Sequence, residues 1–311
     1  METEKDPRHI SVLLEALVNS IEIFSEKPNI IVDCTLGMAG HAIEIIKKMG
    51  KGDTFIGFDA DSRNLELAKQ NLDKLKTDAK IILINSNFIN LKSELQKVGI
   101  EKVTGIYYDL GISSLHVDEA DRGFSFKQDG PLDMRFDIST GKTAADIVNF
   151  DSKKQLEDIF RYYGEDPSFR KIADRMLTRR KEKKFTTTKD LADFLDEILS
   201  FPKTKTRIFQ ALRIEVNKEL EAMEKSIPEA LDLLDKDGNI FVISFHSLED
   251  RITKKIFKKE TRDCICSDLI CSCHHTKSLK LHSKKPILPT SEEIEFNPRS
   301  RSAKARGATK L

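Results

Sequence analysis

Three aspartates stand at the ends of short apolar runs: Asp33 after Ile30-Ile31-Val32, Asp59 after Phe55-Ile56-Gly57-Phe58, and Asp109 after Ile106-Tyr107-Tyr108. An acid that closes an apolar strand is costly to desolvate unless it is used. Asp33 opens the stretch DCTLGMAGH, which ends at His41. There Gly37 and Gly40 lack a Cβ, so they tolerate positive φ and let backbone approach a ligand closely. Asp59 follows at about the separation at which an acidic side chain reaches ribose hydroxyls in a βαβ nucleotide site. The chemistry suggested is binding of an adenosine-type cofactor. A dinucleotide requires three glycines to seat its pyrophosphate, and Gly37-x-x-Gly40 falls short of that pattern. S-adenosylmethionine carries no phosphate and suits a looser loop preceded by an acid. Taken alone, the loop also fits an ordinary strand-to-helix turn.

The elements that must position these residues alternate. Strands are predicted at Asn29–Cys34, Asp53–Asp59, Lys80–Asn85 and Val103–Asp109, and helices at Ser11–Phe24, His41–Met49, Asp61–Leu75 and Leu91–Val98. Such alternation predicts a parallel sheet with helices on both faces. Ligands bind such sheets outside the carboxyl ends of the strands. Four loops would meet there: the glycine loop, the loop after Asp59, DLGISSLH from Asp109, and SFHSLEDR from Ser244.

Beyond Asp109 the rhythm breaks. Residues 115 to about 150 are irregular and rich in Gly, Asp and Arg, and a helical region follows. Thr187-x-x-Asp190 is a capping-box signature ahead of Leu191, Phe194, Leu195 and Ile198. A long helix is expected from Thr206 to Glu224, with Pro228 marking a break after it. The sheet resumes at the Asp235–Gly238 turn and the strand Asn239–Phe245, and edge strands are expected at Leu279–His282 and Ala303–Thr309. The chain is therefore expected to be α/β with an inserted all-helical domain. The boundaries are 1–114 and 216–311 for the cofactor-binding part and 115–215 for the insertion.

The chain has 311 residues and a formal charge of +1, so it is not a polybasic binder overall. Basic residues nevertheless concentrate in Arg179-Arg180-Lys181-Glu182-Lys183-Lys184 and in the last 36 residues. Either segment can face phosphates or form a solvated surface. No apolar stretch approaches the roughly 20 residues of a membrane span, and a cytoplasmic protein is expected. In that compartment five cysteines argue for thiols or metal ligands. The run Cys264-x-Cys266-x4-Cys271-x-Cys273-His274-His275 holds four thiols and two imidazoles, a donor set able to surround one structural zinc ion.

Longer motifs recur through the chain: His9-x-Ser-Val-Leu-Leu-x-Ala-Leu, the glycine loop ending Gly40-His41, DLGISS at 109–114, RGFSF at 122–126, GPLDMRFD at 130–137, FQALRIEVN at 209–217, ISFHSLEDR at 243–251 and NPRSRSAKAR at 297–306. With them the sequence resembles, over nearly its whole length, the MraW/RsmH methyltransferases. The resemblance implies a Rossmann-like class I methyltransferase sheet and S-adenosylmethionine as cofactor. It also implies N4 methylation of a cytosine in the decoding region of 16S ribosomal RNA, within the small ribosomal subunit. By the same resemblance Ala39, Gly40, His41, Asp59, Phe88, Asp109 and His116 line the cofactor pocket. Ala39 stands where the family normally has glycine, and His116 where it commonly has glutamine.

The residues fit amine methylation. Asp109 can accept from the target amine or from the cofactor, and Ser113 and Ser114 add short-range donors and acceptors. Methylation at C5 would instead need a cysteine nucleophile, and none follows Asp109; Cys34 reads as structural. The target base must be unstacked to react. Arg135, Arg213 and Arg251 are the candidate phosphate contacts. His246 contacts substrate or, with Glu249, fixes its own loop. Phe124 and Phe126 stack on a base or anchor their loop. A homodimer is compatible with the sequence. The competing reading is a ribosome-assembly factor that binds RNA and keeps only a vestigial cofactor pocket.

Overall fold

The computed structural model describes residues 11–113, 115–116, 119–198, 203–266 and 272–311; His9, Ser114 and Cys271 lie outside them. The chain divides into two compact units. One comprises Met1–Gly111 and Leu220–Leu311, and the other Ile112–Glu219.

The first unit begins with α1 (Leu14–Ser20), then alternates β1 (Ile30–Asp33), α2 (Gly40–Ile46), β2 (Thr54–Asp59), α3 (Ser62–Leu72), β3 (Lys80–Asn85), α4 (Leu91–Lys97) and β4 (Val103–Asp109). Within the second unit lie α5 (Ala144–Phe150), α6 (Lys153–Tyr162), α7 (Phe169–Glu182), α8 (Thr188–Ile198) and α9 (Thr204–Asn217). Then α10 (Glu219–Leu233) leads back to the sheet, followed by β5 (Leu234–Ser244), α11 (Ser247–Glu260), β6 (Leu279–Leu281), α12 (Ser291–Phe296) and β7 (Lys304–Lys310).

The seven strands run in the order β3-β2-β1-β4-β5-β7-β6. The first five are mutually parallel, and β7 is antiparallel to both neighbours. This is the expected Rossmann-like class I methyltransferase sheet. Alternation along each strand sorts its core. Ile31, Phe55, Tyr107, Phe241 and Ile243 pack on one face with Leu17, Ile45 and Leu72. On the other face Val32, Ile56, Ile106, Tyr108, Ile240 and Val242 pack with Leu95, Ile227 and Phe257. A sheet buried on both faces must read as near-continuous apolar runs, which is how these strands read.

Three expectations need correction. The helix break falls at Lys218, which caps α9 with φ 52°, and Pro228 lies inside a continuous α10. Ile227, Ala230 and Leu231 are buried around that proline, and their packing offsets the roughly 3 kcal/mol that an interior proline costs. The 235–238 segment is a bulge within β5: β4 advances from Val103 to Gly105 while β5 runs from Leu234 to Asn239, with Asp237 at φ 67°. Finally, β7 is an interior strand, paired on both sides, and β6 alone forms that edge.

The second unit has its own core, in which Phe160, Phe185, Ile208 and Leu212 are fully buried. Three of its described helices start on side-chain caps. Thr143 with Asp146 and Ser152 with Gln155 form capping boxes, and Thr187 Oγ1 accepts from Asp190 N at 3.2 Å. The glycines of two motifs sit where loops cross. A Cβ at Gly123 would lie 2.1 Å from the Pro131 carbonyl oxygen, and one at Gly130 1.8 Å from that of Ala120.

Candidate functional site

The parallel arrangement brings the carboxyl ends of β1, β2, β4 and β5 to one edge of the first unit. Asp33 closes β1 and turns back on its own chain: Oδ1 accepts from Thr35 N at 2.9 Å. Thr35 Oγ1 in turn accepts from Asp109 N at 2.6 Å, which ties the end of β1 to the end of β4. Asp59 closes β2 and is gripped from three sides. Gly37 N donates to Oδ2 at 2.9 Å, Asp61 N to Oδ1 at 2.8 Å, and Asn64 Nδ2 to Oδ2 at 3.2 Å. The glycine loop and Asp59 thus form one connected structure.

Ala39 is the N-cap of α2 at φ 69°, a left-handed conformation that favours glycine. Buried His41, in the first turn of the same helix, places Nδ1 3.5 Å from Asp109 Oδ2. Its Nε2 lies 2.8 Å from the Val12 carbonyl oxygen. Phe88 follows β3 and packs edge-on against Tyr108, with centroids 5.5 Å apart.

The electrostatics follow from burial. Desolvation pushes Asp33 up to about 7, against the hydrogen bond from Thr35 and the charge of His41. Desolvation likewise raises Asp59 to about 7, opposed by the Asp61 and Gly37 amides. Asp109 rises to about 8, through desolvation and then the negative charge of Glu249. Asp109 Oδ1 is buried without a hydrogen-bond partner among the described residues. One buried carboxyl, Asp33, and two half-buried ones, Asp59 and Asp109, beside a close-approach loop favour a ligand that brings N–H or O–H donors and positive charge. Burial also pushes the Cys34 thiol up, which keeps it protonated and weakly nucleophilic.

His246 and Glu249 fix their own loop. Glu249 Oε2 accepts from Phe245 N at 2.7 Å and His246 N at 3.1 Å, and His246 caps α11 by accepting from Glu249 N at 3.4 Å. His246 Nε2 approaches Glu249 Oε1 to 3.0 Å without the alignment of a hydrogen bond. Arg251 is exposed on α11.

The remaining candidates belong to the second unit. His116 is buried against the rings of Phe124 and Phe136, with centroids at 4.6 and 5.0 Å, and its Nδ1 is 3.2 Å from Ser113 Oγ. Phe124 is thereby an anchor within that unit. Arg135 grips Asp133 through two hydrogen bonds of 2.8 Å, and Arg213 grips Glu219 at 2.8 and 2.9 Å. Both arginines are engaged by carboxylates. The basic run on α7 is also partly consumed, since Arg179 pairs with Asp190 and Arg180 donates to the Val148 and Asp151 carbonyls.

Sequence reasoning missed Thr35 as the link between two strand ends, and Asn64 as support for Asp59. The spacing Asp33-x-Thr35 carried a signal, since an aspartate commonly accepts from the amide two residues on. Asn217 was missed as well: it accepts from Phe136 N at 2.8 Å and donates to the Met134 carbonyl at 2.7 Å, so the FQALRIEVN motif clamps GPLDMRFD.

Comparison with known proteins adds an independent line. The model of the MraW methylase family matches residues 6–311. A Clostridioides difficile protein named "Ribosomal RNA small subunit methyltransferase H" is 44% identical over 312 residues, covering 97% of this chain and 99% of its own. A relative of the same name from Caldicellulosiruptor saccharolyticus is 44% identical over 310 residues, with the same coverage. Among solved structures, an rRNA methylase from Streptococcus thermophilus aligns over 99% of both chains at 12% identity and a TM-score of 0.42. The family match and these relatives span the motifs and the strand-end aspartates alike, and the chain belongs to the MraW methylase family.

Proposed function

We propose that this protein is an rRNA (cytosine-N4-)-methyltransferase that takes its methyl group from S-adenosylmethionine and acts on 16S ribosomal RNA of the small subunit. The observation that carries this reading is the group of strand-end acids, Asp33, Asp59 and Asp109, tied to one glycine loop by Thr35 and Gly37. The relatives named for small-subunit rRNA methylation support the substrate class.

The residues fit the cofactor. Asp59, held by the Gly37 amide, offers its carboxylate to ribose hydroxyls, and Phe88, which follows β3, is assigned to the adenine. Gly37, Ala39, Gly40 and His41 form the close-approach wall, and Asp33 offers acid to the methionine end. When bound, S-adenosylmethionine supplies an electrophilic methyl on a sulfonium. The target amine must be turned toward it, and Asp109 Oδ1, buried and unsatisfied, is the acceptor for an N–H at that point. A Cys34 thiol that burial keeps protonated favours direct in-line transfer over a covalent enzyme adduct. The inserted unit, with Arg135 and Arg213, is assigned to substrate recognition. There Arg135 and Arg213 must exchange a carboxylate for a phosphate to act. Arg251 is exposed on α11.

The test is transfer of labelled methyl to 30S particles from cells lacking the gene, followed by nucleoside mass spectrometry. N4-methylcytidine made by the native chain and absent with Asp109→Asn supports the reading. Label on C5, or no transfer with full S-adenosylmethionine binding, overturns it; the latter outcome favours an assembly factor.

A further inference from the structure

We propose that Cys264, Cys266 and Cys273 bind a structural zinc ion that staples the segment between α11 and β6. The three sulfurs lie within 4.8 Å of one another. Cys264 Sγ is 3.0 Å from Cys266 Sγ and 3.8 Å from Cys273 Sγ. A tetrahedral zinc with Zn–S bonds of about 2.3 Å separates its sulfurs by about 3.8 Å, so one ion fits among them with small adjustment. A disulfide would use two of the sulfurs and strand the third beside it, whereas a metal uses all three.

Two further features suit a thiolate site. Ile265 N points at Cys273 Sγ from 3.5 Å, and an amide aimed at sulfur favours its anionic form. The described residues of the segment are held mainly at its base. At its base Ser278 N donates to the Glu260 carbonyl at 2.9 Å, Ser278 Oγ to Glu260 Oε2 at 2.8 Å, and His275 Nε2 approaches the Lys259 carbonyl at 3.2 Å. From residue 261 to 277 no described residue is buried, and Ile265 is 40% exposed. Where no described residue is buried, a shared metal among three thiolates supplies order by cross-linking.

The experiment uses the full chain, purified without chelator. Elemental analysis is expected to find one equivalent of zinc, released when a mercurial titrates the thiols and absent from Cys264→Ser/Cys273→Ser. Because that variant can fail to fold, a second arm replaces zinc by cobalt in the native chain. Strong near-ultraviolet thiolate-to-cobalt charge transfer with tetrahedral visible bands is expected, at an intensity for three or more thiolates. Stripping the metal should speed tryptic cleavage at Arg262 and Lys277. Zinc at the level of the double variant even after reconstitution, a cobalt spectrum without thiolate bands, or cleavage indifferent to metal would each overturn the proposal.

Discussion

His41 Nδ1 stands 3.5 Å from Asp109 Oδ2 while the other nitrogen of the same ring, Nε2, lies 2.8 Å from the carbonyl oxygen of Val12. A carbonyl only accepts, so Nε2 carries a proton, and in the neutral ring Nδ1 is then an acceptor. An acceptor at Nδ1 beside Asp109 Oδ2 suits a protonated Asp109 carboxyl. Burial lowers His41 from its ordinary value and lifts Asp109 to about 8, which agrees with a neutral pair. At the point where the cofactor and target are proposed to meet, these shifts favour a protonated Asp109.

A cation placed beside this pair should expel the proton. Calorimetry of S-adenosylmethionine binding near neutral pH, in buffers of different ionisation enthalpy, is expected to reveal release approaching about one proton, fading above the Asp109 value of about 8. Asp109→Asn should abolish the release. Heats that do not vary with buffer in the native chain would rule out the protonated Asp109.

The same burial sets a pH dependence for the ligand-free protein. Unfolded aspartates ionise near 3.8, but Asp33 and Asp59 keep their protons to about 7 and Asp109 to about 8. The folded state binds more protons in that window, so stability should fall as pH rises from about 4 to about 8. Asp109→Asn is expected to raise the ligand-free Tm at pH 8 more than at pH 5, worth roughly 1–3 kcal/mol. A Tm difference unchanged between the two pH values would contradict this.

Arg213 and Glu219 form a bidentate pair with side chains only 13% and 10% exposed. Removing Arg213 leaves a largely buried carboxylate unpaired, so Arg213→Ala should cost about 2–3 kcal/mol. Adding Glu219→Gln should restore a large part of that. Urea unfolding of the single and double variants measures the coupling, and strict additivity would show that the pair contributes nothing beyond its members.

Gly123 and Gly130 have no room for a side chain, since a Cβ would meet carbonyl oxygens at 2.1 and 1.8 Å. Alanine at either position must push two loops apart and should destabilise the helical unit by more than about 3 kcal/mol. By contrast Gly141, with nothing within 4 Å of its Cβ position, should lose only what its positive φ of 81° imposes on alanine, about 1 kcal/mol. Hydrogen exchange on α5 to α9 distinguishes the two classes, and equal protection in Gly123→Ala and Gly141→Ala would refute the crowding.

The β/α alternation, the placement of Asp33, Asp59 and Asp109 at strand ends, and the Thr187 cap were legible in the sequence because each is local. Side-chain period, turn chemistry and capping act over a few residues. What only the tertiary structure decided depends on partners distant along the chain. Thr35 bonds to Asp109 N, the Val12 carbonyl sets which His41 nitrogen holds a proton, and β7 slots between β5 and β6. For Arg213 and Arg135 the sequence registers charge, and only packing brings a carboxylate beside each. Pro228 read as a break because local propensity carries no information on the buried contacts that hold α10 straight through it.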